Sequence, residues 1–134
     1  MESYHTPASL RDAFAMLAQG DATIAAGCTD LFPATERKSL QGPVVSIAEL
    51  DDLRGISRDD DGWRIGAATT WTEIRRADLP PAFDMLKEAA REVGSVQIQN
   101  AGTIGGNLCN ASPAADGVPC LLALDASVTL VSAQ

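Results

Sequence analysis

The chain has 134 residues, room for one domain or two small units sharing a core. Apolar residues make up 46% and charged residues 21%, the balance of a soluble globular protein, and no run of about 18 apolar residues offers a membrane span. Ten basic against eighteen acidic residues leave a net charge of −8, which excludes a general nucleic-acid or anionic-membrane surface.

In chain order, Ser9 predicts a helix N-cap with Asp12 three residues on. Leu10, Ala13, Phe14 and Leu17 follow at helical spacing, and Gly20 stops the run. Residues 23–26 read as a short strand of small side chains. They run into Gly27-Cys28-Thr29 and a second helix over residues 30–38. Residues 44–47 read as another strand, which completes a small α/β unit. The pattern then changes. Residues 55–57 and 63–66 flank Asp59-Asp60-Asp61-Gly62, a hairpin with an Asp-Gly turn. Thr70 with Glu73 forms a capping box opening a helix over residues 71–77. Pro80-Pro81 starts a third helix over residues 83–93, with an apolar stripe of Ala82, Leu86, Ala89, Ala90 and Val93. Further on, residues 117–124 read as a helix and residues 127–132 as a strand.

The opening residues lack a basic stretch followed by an apolar one, so a cytoplasmic location is expected. Cys28, Cys109 and Cys120 are odd in number and form no C-x-x-C pair, so three reduced thiols are expected, without a disulfide framework or metal cluster. His5 is the sole histidine, and no metal site is expected.

Two glycine-bearing segments stand out. Residues 101–116 are poor in charge and rich in small residues, with Gly102, Gly105 and Gly106 among them. Glycine lets a backbone approach a ligand closely, and consecutive amides can form an anion-binding nest. Thr103, Asn107, Asn110 and Ser112 could add neutral hydrogen bonds. Given the net charge, a diphosphate would have to be held by such local dipoles. The competing reading is a set of tight turns in a packed corner. Residues 25–30 follow a strand and precede a helix, a place for phosphate at a helix N-terminus or for an ordinary turn capped by Thr29 or Asp30. A Rossmann G-x-G-x-x-G, a P-loop and a G-x-S-x-G elbow are all absent.

Taken together, A-G-x-T-D-L (residues 26–31) and T-I-G-G-N (residues 103–107) resemble the flavin signature of the FAD-binding (medium) subunits of molybdenum-containing hydroxylases, the xanthine dehydrogenase and carbon monoxide dehydrogenase flavoprotein family. Ala111-Ser112-Pro113, Ala114-Ala115-Asp116, the run over residues 121–126, Tyr4-x-x-Pro7 and Ile65-Gly66-Ala67 extend the resemblance over almost the whole chain. It implies an α+β fold of two FAD-binding subdomains: an α/β one over residues 1–54 and a second, incomplete α+β one over residues 55–134, because family members continue further. It implies FAD between them, with cofactor contacts from Ile24, Ala25, Ala26, Gly27, Cys28, Thr29, Asp30 and Leu31 in a first loop. A second loop would supply Thr103, Ile104, Gly105, Gly106 and Asn107. Backbone amides would hold the pyrophosphate, and the Thr103 and Asn107 side chains would add hydrogen bonds. Asp116 would either lie near the flavin or cap the helix over residues 117–124. No residue of this chain is expected to be a catalytic acid, base or nucleophile, since the flavin carries the chemistry.

The resemblance further implies an oxidoreductase component. Substrate would be hydroxylated at a molybdenum cofactor on a large molybdopterin subunit. Electrons would pass through iron–sulfur clusters on a small subunit to this FAD, then to NAD+ or another acceptor. The alternative is a non-catalytic remnant or assembly module that keeps the fold without stable FAD binding. Two departures from the family pattern are visible: Cys28 stands where glycine is frequent, and Gln99 lies where an arginine often precedes T-I-G-G.

Overall fold

A computed structural model describes residues 4–20, 22–26, 44–93, 96–110 and 117–132. The first region is a three-stranded parallel sheet in the order β1-β3-β2, formed by β1 (Tyr4–His5), β2 (Thr23–Ala25) and β3 (Val44–Ser46). β3 lies centrally, with Val44 opposite both Tyr4 and Thr23. Its three residues are all buried, which explains a continuous V-V run in place of polar alternation. The helix α1 (Leu10–Leu17) joins β1 to β2. The Ser9 hydroxyl caps it, accepting from the Asp12 N–H at 3.1 Å. Ala13, Val45 and Leu50 form the core here, with Leu10, Met16, Leu17, Ile47 and Leu53 packed around them. The expected helix over residues 30–38 lies outside the described residues.

A 3₁₀ turn over Asp51–Leu53 leads into the antiparallel hairpin of β4 (Ile56–Asp59) and β5 (Gly62–Ile65). The turn differs in detail from the expected Asp-Gly type. Asp59 pairs with Gly62, so Asp60 and Asp61 are its central residues. The positive φ, 132°, falls on Gly62 alone. The Asp59 carboxylate receives the N–H groups of Asp61 and Gly62 at 2.9 and 3.1 Å, an Asx turn that holds the tip without a type I′ backbone.

The second region is mostly helical: α2 (Trp71–Arg76), α3 (Asp84–Glu92), α4 (Val96–Ala101), α5 (Ile104–Asn110) and α6 (Gly117–Ala123). The capping box of α2 is complete, Thr70 and Glu73 bonding each other's backbone N–H. The Glu73 carboxylate also meets Arg54 at 2.7 Å. Burial acts to raise its pKa from the usual 4.5, but the hydrogen bonds from Arg54 and Thr70 outweigh this and lower it. A 3₁₀ turn at Pro81–Phe83 precedes α3. Phe83 is buried and Ala82 exposed, because the tighter turn rotates the aromatic ring onto the core, where it meets Trp63 edge-on at 5.6 Å. Trp71, Ile74, Phe83, Leu86, Ala90, Ile104 and Cys120 make this second core.

Two expectations are corrected. Residues 104–107 are the first turn of a helix, not a loop, since Thr103 caps them and the segment packs against α6. Residues 127–132 form no strand among the described residues. A strand requires a hydrogen-bonding neighbour, and this stretch leaves Val128, Leu130 and Val131 exposed. No described helix is long and apolar enough to cross a membrane, and no metal-binding cluster exists among the described residues.

Candidate functional site

The two glycine-bearing segments, separated by 77 residues, meet where β2 ends. The Thr103 hydroxyl donates to the Ala26 carbonyl at 3.3 Å and accepts from the Gly106 N–H at 3.0 Å. The seam therefore has Ala26 on one side and the start of α5 on the other. Of the other first-segment residues, Ile24 turns its side chain to solvent, while Ala25 is buried with its carbonyl bonded to the Ile47 N–H at 2.8 Å. Gly27, Cys28, Thr29, Asp30, Leu31 and Asp116 lie outside the described residues.

On the α5 side the backbone is firmly held. The Ile104 N–H donates to the Thr69 carbonyl at 3.0 Å and the Gly105 N–H to the Ala67 carbonyl at 2.9 Å. The Gly106 N–H goes to the Thr103 hydroxyl, and the Asn107 N–H to the Thr103 carbonyl at 3.1 Å. Four amides that a nest would offer to an anion thus have protein acceptors. What the segment presents at the seam is a small surface free of charge: residues 96–110 contain no Asp, Glu, Lys, Arg or His. Ala67 and Thr69 are residues that sequence reasoning missed. Their part lies in main-chain carbonyls, which leave no side-chain signature. Thr69 is itself fixed by bonds to the Gly55 backbone at 3.0 and 3.2 Å.

The adjacent glycines have different reasons to be glycine. A Cβ on Gly105 would stand 2.6 Å from the Ala67 carbonyl oxygen, so Gly105 is required by close packing of α5 on the chain before α2. A Cβ on Gly106 would enter the seam itself, 3.1 Å from the Thr103 hydroxyl and 3.6 Å from the Ala26 carbonyl. Gly106 therefore sits against both the Thr103 hydroxyl and the end of β2, with room for little more than its hydrogen. Asn107 uses its carbonyl oxygen to receive the Gly117 N–H at 3.1 Å, anchoring the start of α6, which leaves its N–H groups as the side-chain donors it can turn to a ligand. Gln99, where the family pattern often has arginine, is buried and donates to the Arg91 carbonyl at 2.9 Å. It closes the last turn of α3.

A parallel α/β unit meeting a mostly helical unit that carries an antiparallel hairpin defines a mixed α+β protein. Comparison with known proteins narrows this. The family described as "FAD binding domain in molybdopterin dehydrogenase" matches residues 1–134, and the chain belongs to that family. It is 37% identical to the xanthine dehydrogenase FAD-binding subunit of Escherichia coli O157:H7, over 97% of this chain and 46% of that protein. It is likewise 37% identical to the nicotinate dehydrogenase FAD-subunit of Eubacterium barkeri, over 98% of this chain and 46% of that protein. Among solved structures, the CO dehydrogenase from Oligotropha carboxidovorans superposes with a TM-score of 0.75 at 32% identity, over 84% of this chain and 41% of that one. The chain thus spans about half the length of the curated relatives it matches.

Proposed function

We propose that this chain forms the front part of the FAD-binding electron-transfer component of a molybdenum hydroxylase complex. The observation that supports this reading is the seam, where segments 77 residues apart in sequence meet through Thr103, with Gly106 against both. Ala26, Gly106 and Asn107 are the described residues that would hold FAD there, together with residues 27–31 and Asp116. A diphosphate at this seam meets no carboxylate from residues 96–110. When bound, the flavin supplies the redox chemistry, and the protein positions it and excludes competing reactions. Among the described residues, the charge-free start of α5 and the Asn107 side-chain amide support that placement.

In the same reading, two FAD-binding subdomains divide near residues 54/55, supported by two cores built from residues 10–53 and 56–124. The large molybdopterin subunit and the small iron–sulfur subunit are the partners, electrons leave to NAD+ or another acceptor, and the location is cytoplasmic. A second reading, an assembly module that only binds partners, draws on the exposed Leu122, Val128, Leu130 and Val131, since exposed apolar side chains favour association.

Titration of the purified chain with FAD, followed by visible absorption and flavin fluorescence, separates the two. The FAD reading expects saturable binding that weakens at least about tenfold in Gly106→Val, because the side chain fills the seam. Absence of binding at high FAD, with the chain folded, would leave the assembly reading.

A further inference from the structure

We propose that Thr103 is a positioning residue that sets the spacing of the two segments flanking the seam, and that its hydroxyl does not bond the cofactor. This rests on the reading of the seam as an FAD site. Thr103 is only 3% exposed. Its hydroxyl has one proton, and that proton goes to the Ala26 carbonyl while the oxygen receives the Gly106 N–H. The backbone around it is equally tied: Thr103 bridges to Thr70, the Trp71 N–H donates to the Gly102 carbonyl at 3.2 Å, and the Ile104 N–H donates to the Thr69 carbonyl. Turning the hydroxyl proton toward a ligand would take it from the Ala26 carbonyl, and swinging the whole hydroxyl away would cost the Gly106 N–H its acceptor as well, and polar groups are costly to strand.

One hydroxyl thus links the end of β2 to the first turn of α5. Serine at this position keeps the bridge. Valine keeps the shape and loses it. The role predicts that the bridge exists in the free protein and that FAD affinity follows it.

The experiment measures two quantities on the full chain and on Thr103→Val and Thr103→Ser: amide hydrogen exchange at Gly106 without ligand, and FAD affinity. The expected result is Gly106 exchange at least about tenfold faster in Thr103→Val, with FAD binding weakened about tenfold or more. Thr103→Ser should stay within about threefold of wild type in both. Weaker FAD binding in Thr103→Val with unchanged Gly106 protection would overturn the proposal in favour of direct ligand contact. Wild-type values of both quantities in Thr103→Val would overturn it as well. Thr103→Ala takes the place of the valine variant if that variant does not fold. Should the wild-type chain take up no FAD, the functional reading fails, while the ligand-free exchange comparison still decides whether the bridge exists.

Discussion

On one side of the seam stands a three-residue strand backed by a core of Ala13, Val45 and Leu50. On the other stands a helix resting on a core of seven side chains that includes two aromatic rings. The β2 side reaches the seam through one described carbonyl, that of Ala26. On the α5 side, four successive amides have protein acceptors before any ligand arrives. In the proposed reading the seam has a firmly held wall on the α5 side and, among the described residues, one bonded carbonyl on the β2 side. The helical region sets the geometry, and among the described residues the end of β2 is tied to it at the seam by the Thr103 hydroxyl, while Arg54 and Glu73 join the regions at their junction. Fixed donors and surfaces lower the ordering cost of binding, so the region with the larger core is where precision is expected.

The contrast can be broken most directly through the cores. Trp71→Ala removes a fully buried ring from the larger core and is expected to destabilise the chain by about 3–5 kcal/mol. Val45→Ala in the smaller core should cost about 1–2 kcal/mol. Urea unfolding of both variants checks this, and equal losses would remove the asymmetry between the two sides.

The two adjacent glycines sharpen the comparison at the seam. Gly105→Ala drives a Cβ to 2.6 Å from the Ala67 carbonyl oxygen and is expected to cost about 1–3 kcal/mol of stability, as overpacking does. Gly106→Ala meets only the Thr103 hydroxyl closely, at 3.1 Å, and exchanges glycine for a better helix former. Its stability should stay within about 1 kcal/mol of wild type while FAD binding weakens. Unfolding curves beside FAD titrations test the pair, and the reverse ordering in stability would mean that the packing roles of the two glycines are exchanged.

The smallest effect lies at the junction of the regions, where Arg54 meets Glu73. The folded pKa of Glu73 lies below its usual value of 4.5. The stabilisation is therefore complete above pH 4.5 and is lost as pH falls through the lower folded value. The side chains are 39% and 34% exposed, so screening by water holds the effect to at most about 1 kcal/mol. Unfolding free energies of wild type and Glu73→Gln, compared from pH 7 down to the acid limb, should converge as the carboxyl protonates. A gap that widens on acidification would contradict the assigned direction.

Much of this was legible in the residues themselves, because local chemistry decides it. Ser9 and Asp12 mark the start of α1, Thr70 and Glu73 that of α2, and Pro80-Pro81 the approach to α3. Alternation around the acidic turn marks the hairpin. The buried V-V of β3 and the membership suggested by the residues at 26–31 and 103–107 were readable for the same reason: each depends on side chains close together in sequence. Tertiary contact decided the rest. Tyr4 and His5 are a strand only because Val44 and Val45 lie beside them. Residues 104–107 became a helix because Ala67, Thr69 and Thr103 supply acceptors for its first amides, and main-chain carbonyls have no sequence signal. The same physics separates Gly105, which packs on the Ala67 backbone, from Gly106, which lies against the Thr103 hydroxyl and the Ala26 carbonyl. It also gives the Thr103 hydroxyl to a carbonyl 77 residues away. Sequence could nominate these residues for a ligand, but the partners they engage depend on distances that exist only once the chain is folded.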